Sequence, residues 1–502
     1  MRLVFLLALS LLLATPGRAQ DTDTTITGQR VPCMSGEAAG FPCNNVDLLS
    51  VLAIDRMGDN TALINDIWGW TDPQDGTEYA LVGRTDGLSF VDVSDPTSPV
   101  FLGFLPTATR PASWRDVKVY ENHAYVVADN AGNHGMQVFD LTQLRDVSDL
   151  PVTFEATARY TRFGSTHNLA INTESGYAYA TGVSDGQDPP ESYNGGGIRR
   201  CGPGLHMMNL ENPEDPQFAG CFTANTPFVI ARGYTHDAQC VTYNGPDADY
   251  QGREICIGAN EQAVSIVDVT DKDDPVPIAS PTYPKARYTH QGWLGPNQRY
   301  YYQNDERDEN RDAVSNTRTL VWDFQDLDEP ELVNQFFHET TSIDHNLYVR
   351  DSLLVEANYT SGLRLLSIDN PAEPQPVGFF DTTPENDRTE YEGAWSNYPY
   401  FESGIVVVSS IGEGLFVLRP TGGARFADTA RTPERQSTSF ALSVAPNPFA
   451  ERARVTLTVP ETQPVRVVVY DALGRRGSKP PVCPPVRTSS APRAPGPSAR
   501  SQ

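Results

Sequence analysis

Positive charge is scarce in this sequence of 502 residues, which has 38 Lys and Arg against 64 Asp and Glu and a formal net charge of −26. A face that binds nucleic acid must be basic, so this balance argues against DNA and RNA as partners. Long apolar runs are also rare. The N-terminal run from Leu3 to Leu13 is too short to cross a bilayer and no later stretch is long enough, which predicts a chain without a transmembrane segment.

Common catalytic motifs are missing as well. The sequence contains no HExxH helix, Walker loop or dinucleotide fingerprint. Carboxylates are so numerous that choosing an acid/base pair among them would be arbitrary. No catalytic residue is therefore assigned.

The first residues have the three parts of a secretory signal. Arg2 precedes the apolar run, and the sequence Gly17-Arg18-Ala19 stands before Gln20. The run is too short to span a membrane, so residues 1–19 are predicted to be a signal peptide. We therefore expect an exported protein that is extracellular or held at the outer cell surface.

Six of the seven cysteines are neighbours in pairs along the sequence. Because an exported protein folds in an oxidising compartment, the simplest expectation is three local disulfides. The predicted pairs are Cys33–Cys43, Cys201–Cys221 and Cys240–Cys256, with Cys483 left over. Spacing does not prove this connectivity, and buried free thiols are the alternative.

One pattern of strands repeats along most of the chain. The clearest unit, EICIGANEQAVSIVDVTDKDDPVPIAS from Glu254, has an apolar strand, a short turn, a second apolar strand ending in Asp, an Asp/Pro turn and a third strand. Related units begin at Tyr79, His123, Tyr177, Tyr300, Leu353 and Gly404. Such regular spacing of short strands indicates an all-β repeat fold.

Another short strand precedes each unit. These strands begin at Asn65, Arg115, His167, His236, His290, His345 and Gly393, which are 48 to 69 residues apart. Seven units of about four strands predict a seven-bladed β-propeller over residues 48–420, preceded by a disulfide-containing segment, 20–47. The last unit lacks an outer strand, and Leu48 to Asp55 has outer-strand character. We therefore expect this N-terminal strand to close the ring.

The C-terminal part has a different composition. Residues 421–441 are polar and are predicted to be a linker. Residues 442–476 contain two alternating strands, TLTV and RVVVYD, which indicate the start of a small β-sandwich. Residues 477–502 are rich in Pro and Ser and have no aromatic residue, so this tail is predicted to be disordered or to result from a frame shift.

Two resemblances to known families rest on specific motifs. APNPF at Ala445 and VVVYDALGR from Val467 resemble the front half of the C-terminal sorting domain of type IX secretion; the usual second half is absent. Several segments within residues 31–420 resemble the choice-of-anchor B family, whose propellers are built from LVIVD repeats. They include VPCMSGEAAGFPCNNVDLLS, GYTHDAQCVTYNGPD, SIDHNLYV and GLFVLRP. The resemblances imply a propeller at the cell surface and, with an intact sorting domain, the type IX secretion machinery as a partner.

Four of the eight histidines stand at matching positions, each at the start of an innermost strand: His167, His236, His290 and His345. Innermost strands line the channel of a propeller, so these side chains are predicted to ring one channel mouth. Imidazoles bind Zn, Cu, Ni or Fe where their nitrogens converge at about 2.0–2.2 Å from the ion. The alternative is that each histidine hydrogen-bonds the backbone of a neighbouring blade and only ties the ring together.

Further polar residues are expected at the same mouth. Asn65, Arg115, Asp237 and Asp344 are predicted to contact a ligand there, because they occupy or adjoin the corresponding positions. Arg115 would anchor an anionic group. Asp237 and Asp344 would also orient the histidine rings as hydrogen-bond acceptors.

The acidic loop NDERDENRDA, from Asn304 to Ala313, is a second candidate ion site. Its carboxylates are hard oxygen ligands of the kind that Ca²⁺ prefers. They belong to Asp305, Glu306, Asp308, Glu309 and Asp312, whose spacing does not match the EF-hand loop. The alternative is a solvated acidic loop that holds no ion.

These features favour a non-enzymatic propeller that acts as a scaffold for an extracellular ligand, a protein or a glycan. The reason is that a channel mouth is a rigid platform formed by loops from every blade. The alternative is a metal-dependent hydrolase or lyase that holds its ion in the histidine ring. The propeller fold hosts both kinds of function and does not choose between them.

Overall fold

The computed structural model describes residues 25–58, 61–184, 202–224, 233–427, 441–445 and 454–458. These residues fall in two compact units, one within 1–429 and one within 430–502. The predicted signal peptide, the tail 477–502 and the strand RVVVYD lie outside the described residues. In the part of the chain that the structure describes, no helix is long and apolar enough to cross a membrane.

The first unit is a seven-bladed β-propeller, as predicted. Its N-terminal segment contains β1 (Glu37–Ala38), β2 (Phe41–Asn44) and β3 (Val46–Leu52). Blade 1 contains β4 (Ile64–Thr71), β5 (Glu78–Arg84), β6 (Gly87–Asp92) and β7 (Val100–Pro106). Blade 2 contains β8 (Arg115–Tyr120), β9 (His123–Ala128), β10 (Met136–Asp140) and β12 (Ala158–Tyr160), and the intervening β11 (Val152–Thr153) pairs in parallel with β7. Blade 3 contains β13 (Asn168–Asn172), β14 (Tyr177–Thr181), β15 (Leu205–Asn209) and β16 (Gln217–Phe222).

The other blades continue this order from the channel outward. Blade 4 contains β17 (Asp237–Thr242), β18 (Glu254–Ala259), β19 (Val264–Asp268) and β20 (Val276–Ala279). Blade 5 contains β21 (Thr289–Leu294), β22 (Tyr300–Asp305), β23 (Arg318–Asp323) and β24 (Glu331–Phe337). Blade 6 contains β25 (Asn346–Arg350), β26 (Leu353–Ala357), β27 (Leu363–Ser367) and β28 (Gln375–Phe380). Blade 7 contains β29 (Ala394–Tyr398), β30 (Val406–Ser410) and β31 (Gly414–Pro420). Short 3₁₀ turns cover Ile54–Met57, Leu141–Leu144 and Gly422–Ala424.

The middle strands of the blades carry the core. Every residue of β5 and β18 is buried, because both faces of each sheet pack against neighbouring blades. Between blades 1 and 2, Phe90 stacks on Phe139 with ring centroids 4.7 Å apart, and Phe154 meets both rings edge-on. The apolar runs that the repeat predicts as strands are therefore the contacts that hold blade to blade.

The repeated aspartate at the end of the third strand closes a turn. In blades 1 to 5 its side chain accepts a hydrogen bond of 2.7–2.9 Å from the backbone N–H two residues later. The residues in this position are Asp92, Asp140, Asn209, Asp268 and Asp323. Asp and Asn favour this arrangement because their short side chains reach their own backbone. The repeat thus carries its own turn signal.

The N-terminal segment lies on blades 6 and 7. Strand β3 pairs antiparallel with β31, from Val46 opposite Pro420 to Leu52 opposite Leu415, and is the outermost strand of blade 7. Strand β2 pairs with β28 and extends blade 6. An N-terminal strand and the last strands of the propeller therefore share one sheet.

Two of the predicted disulfides are confirmed, Cys33–Cys43 and Cys240–Cys256. The second joins directly opposed residues of β17 and β18. Cys221 is also disulfide-bonded, and its predicted partner Cys201 lies outside the described residues.

The first residues of the predicted linker pack against the propeller. Ala424 and Phe426 are buried in the apolar cluster between blades 6 and 7, and the guanidinium of Arg350 lies 4.3 Å from the Phe426 ring centroid. The rest of the predicted linker, up to residue 440, lies outside the described residues. In the second unit, β32 (Ala441–Ala445) and β33 (Arg454–Thr458) pair antiparallel.

Candidate functional site

The four matching histidines lie together at one end of the channel. Each belongs to the start of an innermost strand, and equivalent positions in neighbouring blades lie at the same depth. The rings of His167 and His236 have centroids 4.2 Å apart, and the pairs His236–His290 and His290–His345 are each 4.3 Å apart. We call this end, defined by the four residues, the histidine mouth.

Backbone and carboxylate acceptors hold three of these rings. Nδ1 of His236 lies 2.9 Å from the carbonyl oxygen of His290, and Nδ1 of His345 bonds the carbonyl oxygen of Trp395. Nδ1 of His167 lies 2.9 Å from a carboxylate oxygen of Asp129. A carbonyl only accepts, so Nδ1 of His236 and of His345 must carry the proton, which leaves a free lone pair on Nε2 of each ring when it is neutral. The histidines thus tie blades together and still present a ligand atom.

Burial keeps three of these imidazoles neutral. It lowers the pKa of His345 to about 3 and, with help from the neighbouring histidines, holds the pKa of His236 and His290 well below the ordinary value. Adjacent cations would repel one another in a poorly hydrated space. At neutral pH these three rings therefore present uncharged nitrogen ligands.

Glu306 joins the histidine mouth from the acidic loop. Its Oε1 lies 3.6 Å from Nε2 of His345 and 4.0 Å from Nε2 of His290, and it accepts a 2.8 Å hydrogen bond from the hydroxyl of Tyr359. Burial raises the pKa of Glu306 to about 7. Two imidazoles and one carboxylate within 4.8 Å of one another form a ligand set that suits a transition metal.

Aromatic side chains form the walls above this floor. One cavity of about 200 Å³ lies over the histidines, and an adjoining cavity of about 340 Å³ extends beside it. Trp114, Glu306, Arg307 and Trp395 line both cavities. Trp114 is 41% exposed, and Tyr391 at the far wall is 46% exposed. The mouth therefore combines open aromatic faces with a polar, partly charged floor.

Asn65 and Arg115 do not reach these cavities. Asn65 is fully buried and donates a 3.1 Å hydrogen bond to the carbonyl of Ser113. The guanidinium of Arg115 is buried against the carbonyl of Arg84, 2.9 Å away, and a ring nitrogen of His134, 3.1 Å away. Both side chains bridge blades 1 and 2 and are not available as ligand contacts.

Asp237 and Asp344 do not orient the histidine rings, whose acceptors are those described above. Successive residues of a strand point to opposite sides, so the neighbour of a mouth histidine points elsewhere. Asp237 lies deeper in the channel, where burial raises its pKa to about 7 although Lys118 opposes this. Asp344 points into the interior and accepts a 3.2 Å hydrogen bond from the backbone N–H of Asp305.

The acidic loop does not form the single calcium site that its composition indicates. Asp305 accepts hydrogen bonds from the Tyr283 hydroxyl and from three backbone N–H groups, and Glu306 turns to the histidines. Asp312 is exposed. Asp308 and Glu309 come together, and their partner is Asp344 from the next blade. The five carboxylates of the loop therefore do not face one point.

A buried charged cluster that the sequence reasoning missed lies on the innermost strands of blades 1 and 2. Lys118 contacts a carboxylate oxygen of Asp116 and lies 3.4 Å from Asp66. Burial raises the pKa of Asp66 well above its ordinary value. Although burial also opposes ionisation of Asp116, Lys118 and hydrogen bonds from Asp66 and the Leu169 N–H leave the pKa of Asp116 lowered. Lys118 and Asp116 therefore form a buried ion pair with Asp66 beside it.

The opposite channel mouth is aromatic. A cavity of about 260 Å³ there is lined by residues that include Trp68, Trp293, Tyr348 and Tyr400. Their rings meet edge-on or tilted, and the ammonium group of Lys118 lies 4.7 Å from the Trp68 ring centroid. The two mouths thus differ in chemistry, with nitrogen and carboxylate ligands at one and aromatic rings at the other.

One sequence signal would have found more of the site. The tripeptide Tyr-Thr-His occurs at Tyr234 and again at Tyr288, and both tyrosines line the cavity over the histidines. The residue that precedes Arg115 in the corresponding segment of blade 2 is Trp114, which lines the same cavity. Positions just before the innermost strands therefore supply the walls of the mouth. Glu306 and Arg307 follow strand β22 and carry no such signal.

Comparison with known proteins agrees with this architecture. The family model described as the LVIVD repeat matches residues 77–107 and 113–133. These ranges contain β5 to β7 of blade 1 and the first two strands of blade 2, so in these blades the chain is similar to LVIVD-repeat proteins. The match and the seven blades together support the propeller family. None of the curated proteins searched matches the chain.

Proposed function

We propose that this protein is a binding scaffold of the cell exterior that takes an extracellular glycan at the histidine mouth. The observation that carries the proposal is the pair of adjoining cavities with open aromatic faces, Trp114 and Tyr391, over a polar floor. Pockets of a few hundred Å³ accept small ligands or single ligand groups, whereas a protein partner needs a broad surface of about 800 Å². The size of the cavities therefore favours the end of a glycan over a protein.

The chemistry of the walls fits a sugar. Aromatic rings offer flat apolar faces, and the neighbouring polar groups satisfy hydroxyls that become buried. Glu306 accepts hydrogen bonds when ionised, and Arg307, whose guanidinium lies 4.4 Å from the Tyr288 ring centroid, donates them. A neutral imidazole nitrogen donates or accepts a hydrogen bond, depending on the tautomer. These groups can therefore orient an uncharged ligand through hydrogen bonds.

The test is glycan binding by the full chain and by one pair of variants. The purified protein is applied to a glycan array in the presence of EDTA, and the affinity for each glycan bound is measured by calorimetry. Trp114→Ala removes an open wall of both cavities and is expected to weaken binding at least tenfold. Phe337→Ala removes an aromatic side chain that is 49% exposed on outer strand β24 and should leave affinity unchanged. An array without bound glycans, or equal affinity of Trp114→Ala and wild type, contradicts the proposal. If the protein binds only protein ligands, the ligand of the histidine mouth is a protein and the glycan proposal is wrong.

Export and surface attachment complete the proposal. The described disulfides support export, because disulfides persist in oxidising compartments. We propose that residues 1–19 direct export, that residues 442–476 are a partial sorting domain, and that the chain is a choice-of-anchor B propeller. N-terminal sequencing of the secreted protein should find cleavage before Gln20, and retention of Met1 would contradict it.

A metal-dependent enzyme is the second candidate, and the approach of His290, His345 and Glu306 favours it. Such an ion would activate water or polarise a carbonyl in the adjoining cavity, as in a hydrolase or lyase. Mass-spectrometric metal analysis of the untagged full chain tests it. A stoichiometric transition metal that is lost in His345→Gln and kept in His123→Gln would support the enzyme, and a metal-free protein would exclude this site.

A further inference from the structure

A second group of ligand atoms lies inside the protein, between blades 5 and 6. Asp308 and Glu309 belong to the turn after β22, and Asp344 belongs to the segment before β25. One carboxylate oxygen from each lies within 4.8 Å of the others. All three side chains are more than nine-tenths buried, with Asp308 fully buried and Asp344 1% exposed. Three carboxylates have therefore been brought together away from water.

Two of these carboxylates have oxygens without a hydrogen-bond partner. Among the described residues, both oxygens of Glu309 and Oδ1 of Asp344 are buried without a hydrogen bond, while Asp308 has Arg318 as an ion-pair partner. Buried polar atoms in native proteins are almost always paired, because an unpaired one loses its hydration without compensation. Three unpaired oxygens in this group indicate that another species belongs among them.

The surrounding charges do not balance the group. The guanidinium of Arg318 approaches Asp308 to 2.5 Å, with both side chains fully buried. Its Nη1 donates to the carbonyl of Pro284 at 3.1 Å and to Gln335 at 3.0 Å. One cation therefore faces three carboxylates.

The next residues outward add negative charge. Asp305 adjoins Asp344, and Glu356 is another buried carboxylate, paired with a nitrogen of His338 at 2.9 Å. A cation among these carboxylates would therefore offset an excess of negative charge.

Its geometry suits a hard divalent cation. Calcium binds oxygen at about 2.3–2.6 Å, so ligand oxygens up to about 5 Å apart can share one ion. The group offers carboxylate oxygens and no sulfur or imidazole nitrogen, which disfavours zinc and copper. Calcium accepts irregular sets of six to eight oxygens with bidentate carboxylates, whereas magnesium demands a near-ideal octahedron and retains waters.

We propose that Asp308, Glu309 and Asp344 bind a structural calcium ion that joins the turn after β22 to the start of blade 6. This site is separate from the histidine mouth and does not depend on glycan binding or on a transition metal there.

The test uses calcium alone as the probe. The full chain is stripped with EDTA, then titrated with CaCl₂ while calcium content and thermal midpoint are followed. We expect one tightly bound calcium per chain and a midpoint that rises with calcium concentration. Magnesium at the same concentration should raise the midpoint less. A protein that takes up no calcium, with the same midpoint in EDTA and in calcium, overturns the proposal.

Variants locate the ion. Glu309→Gln and, independently, Asp344→Asn keep the side-chain shape and remove one ligand charge, and each is expected to weaken calcium binding at least tenfold. Asp312→Asn changes an exposed carboxylate of the same turn and should keep wild-type affinity. A second control, Asp328→Asn, alters the more exposed group of Asp247, Asp326 and Asp328. If Asp328→Asn no longer binds calcium while Glu309→Gln still does, the proposed position of the ion is wrong. If either buried variant fails to fold, the wild-type titration still decides whether calcium binds.

Discussion

Replacing His206 by glutamine should remove part of the acid sensitivity of the propeller. His206 lies in β15, only 3% exposed, with its ring against Phe163 and Phe218 at centroid distances of 5.3 and 5.0 Å. Its Nε2 lies 2.7 Å from the hydroxyl of Tyr160. Burial, with a smaller contribution from Arg162, lowers the pKa of His206 from 6.5 to about 3.

The sign and size of the effect follow from this lowered pKa. Below pH 6.5 the unfolded chain protonates His206 while the folded chain does not, so the unfolded state binds more protons and stability falls with pH. The loss begins near pH 6.5 and continues until the pH approaches the folded pKa. Each pH unit in this range costs about 1.4 kcal/mol, so His206 should reduce the free energy of unfolding by about 2 kcal/mol between pH 8 and pH 5.

The assay compares the two proteins at several pH values. Free energies of unfolding are measured by urea denaturation at pH 8, 7, 6 and 5 in EDTA, for wild type and for His206→Gln. Glutamine retains a polar group opposite Tyr160, and its packing cost is the same at every pH and cancels in the comparison. The variant should lose about 2 kcal/mol less than wild type between pH 8 and pH 5.

Equal pH dependence of the two proteins would refute the reasoning. It would mean that burial in this propeller does not depress an imidazole pKa to the extent that the structure indicates. The same physical cause underlies the neutral rings of His236, His290 and His345, so their neutrality at pH 7 would then lose its basis. An NMR titration of His206 would then show directly whether its pKa is lowered in the folded protein.

Two further predictions concern stability. Lys118→Met leaves the buried carboxylate of Asp116 unpaired, which should lower the free energy of unfolding, measured by urea denaturation at pH 7, by about 3–5 kcal/mol. Because protonation of Asp116 removes the unpaired charge, this loss of stability should become smaller toward pH 4. A loss that does not change with pH would contradict the ion pair. The double substitution Cys240→Ser and Cys256→Ser removes a disulfide between residues 16 apart in the sequence. It should lower the free energy of unfolding by about 3 kcal/mol. An unchanged denaturation midpoint would show that the crosslink does not contribute to stability.

The sequence by itself determined the architecture. The repeat period identified seven units, their innermost strands and the outer-strand character of residues near Leu48, because alternation and turn chemistry are local properties. It also placed His167, His236, His290 and His345 at one depth, since residues at equivalent strand positions occupy equivalent places around a channel. Two of the disulfides followed from cysteines that are neighbours in the sequence.

Which side chains converge was decided only by the tertiary structure. Glu306 and Glu309 are three residues apart in one acidic loop, yet one reaches the histidines and the other meets Asp344 in the interior. Arg115 and Lys118 lie on the same strand, but Arg115 contacts the backbone of Arg84 while Lys118 pairs with the buried carboxylate of Asp116. Loop direction and the packing of one blade on the next set these positions, and both depend on contacts between residues distant in sequence. The repeat encodes each blade, whereas the candidate sites form where different blades meet.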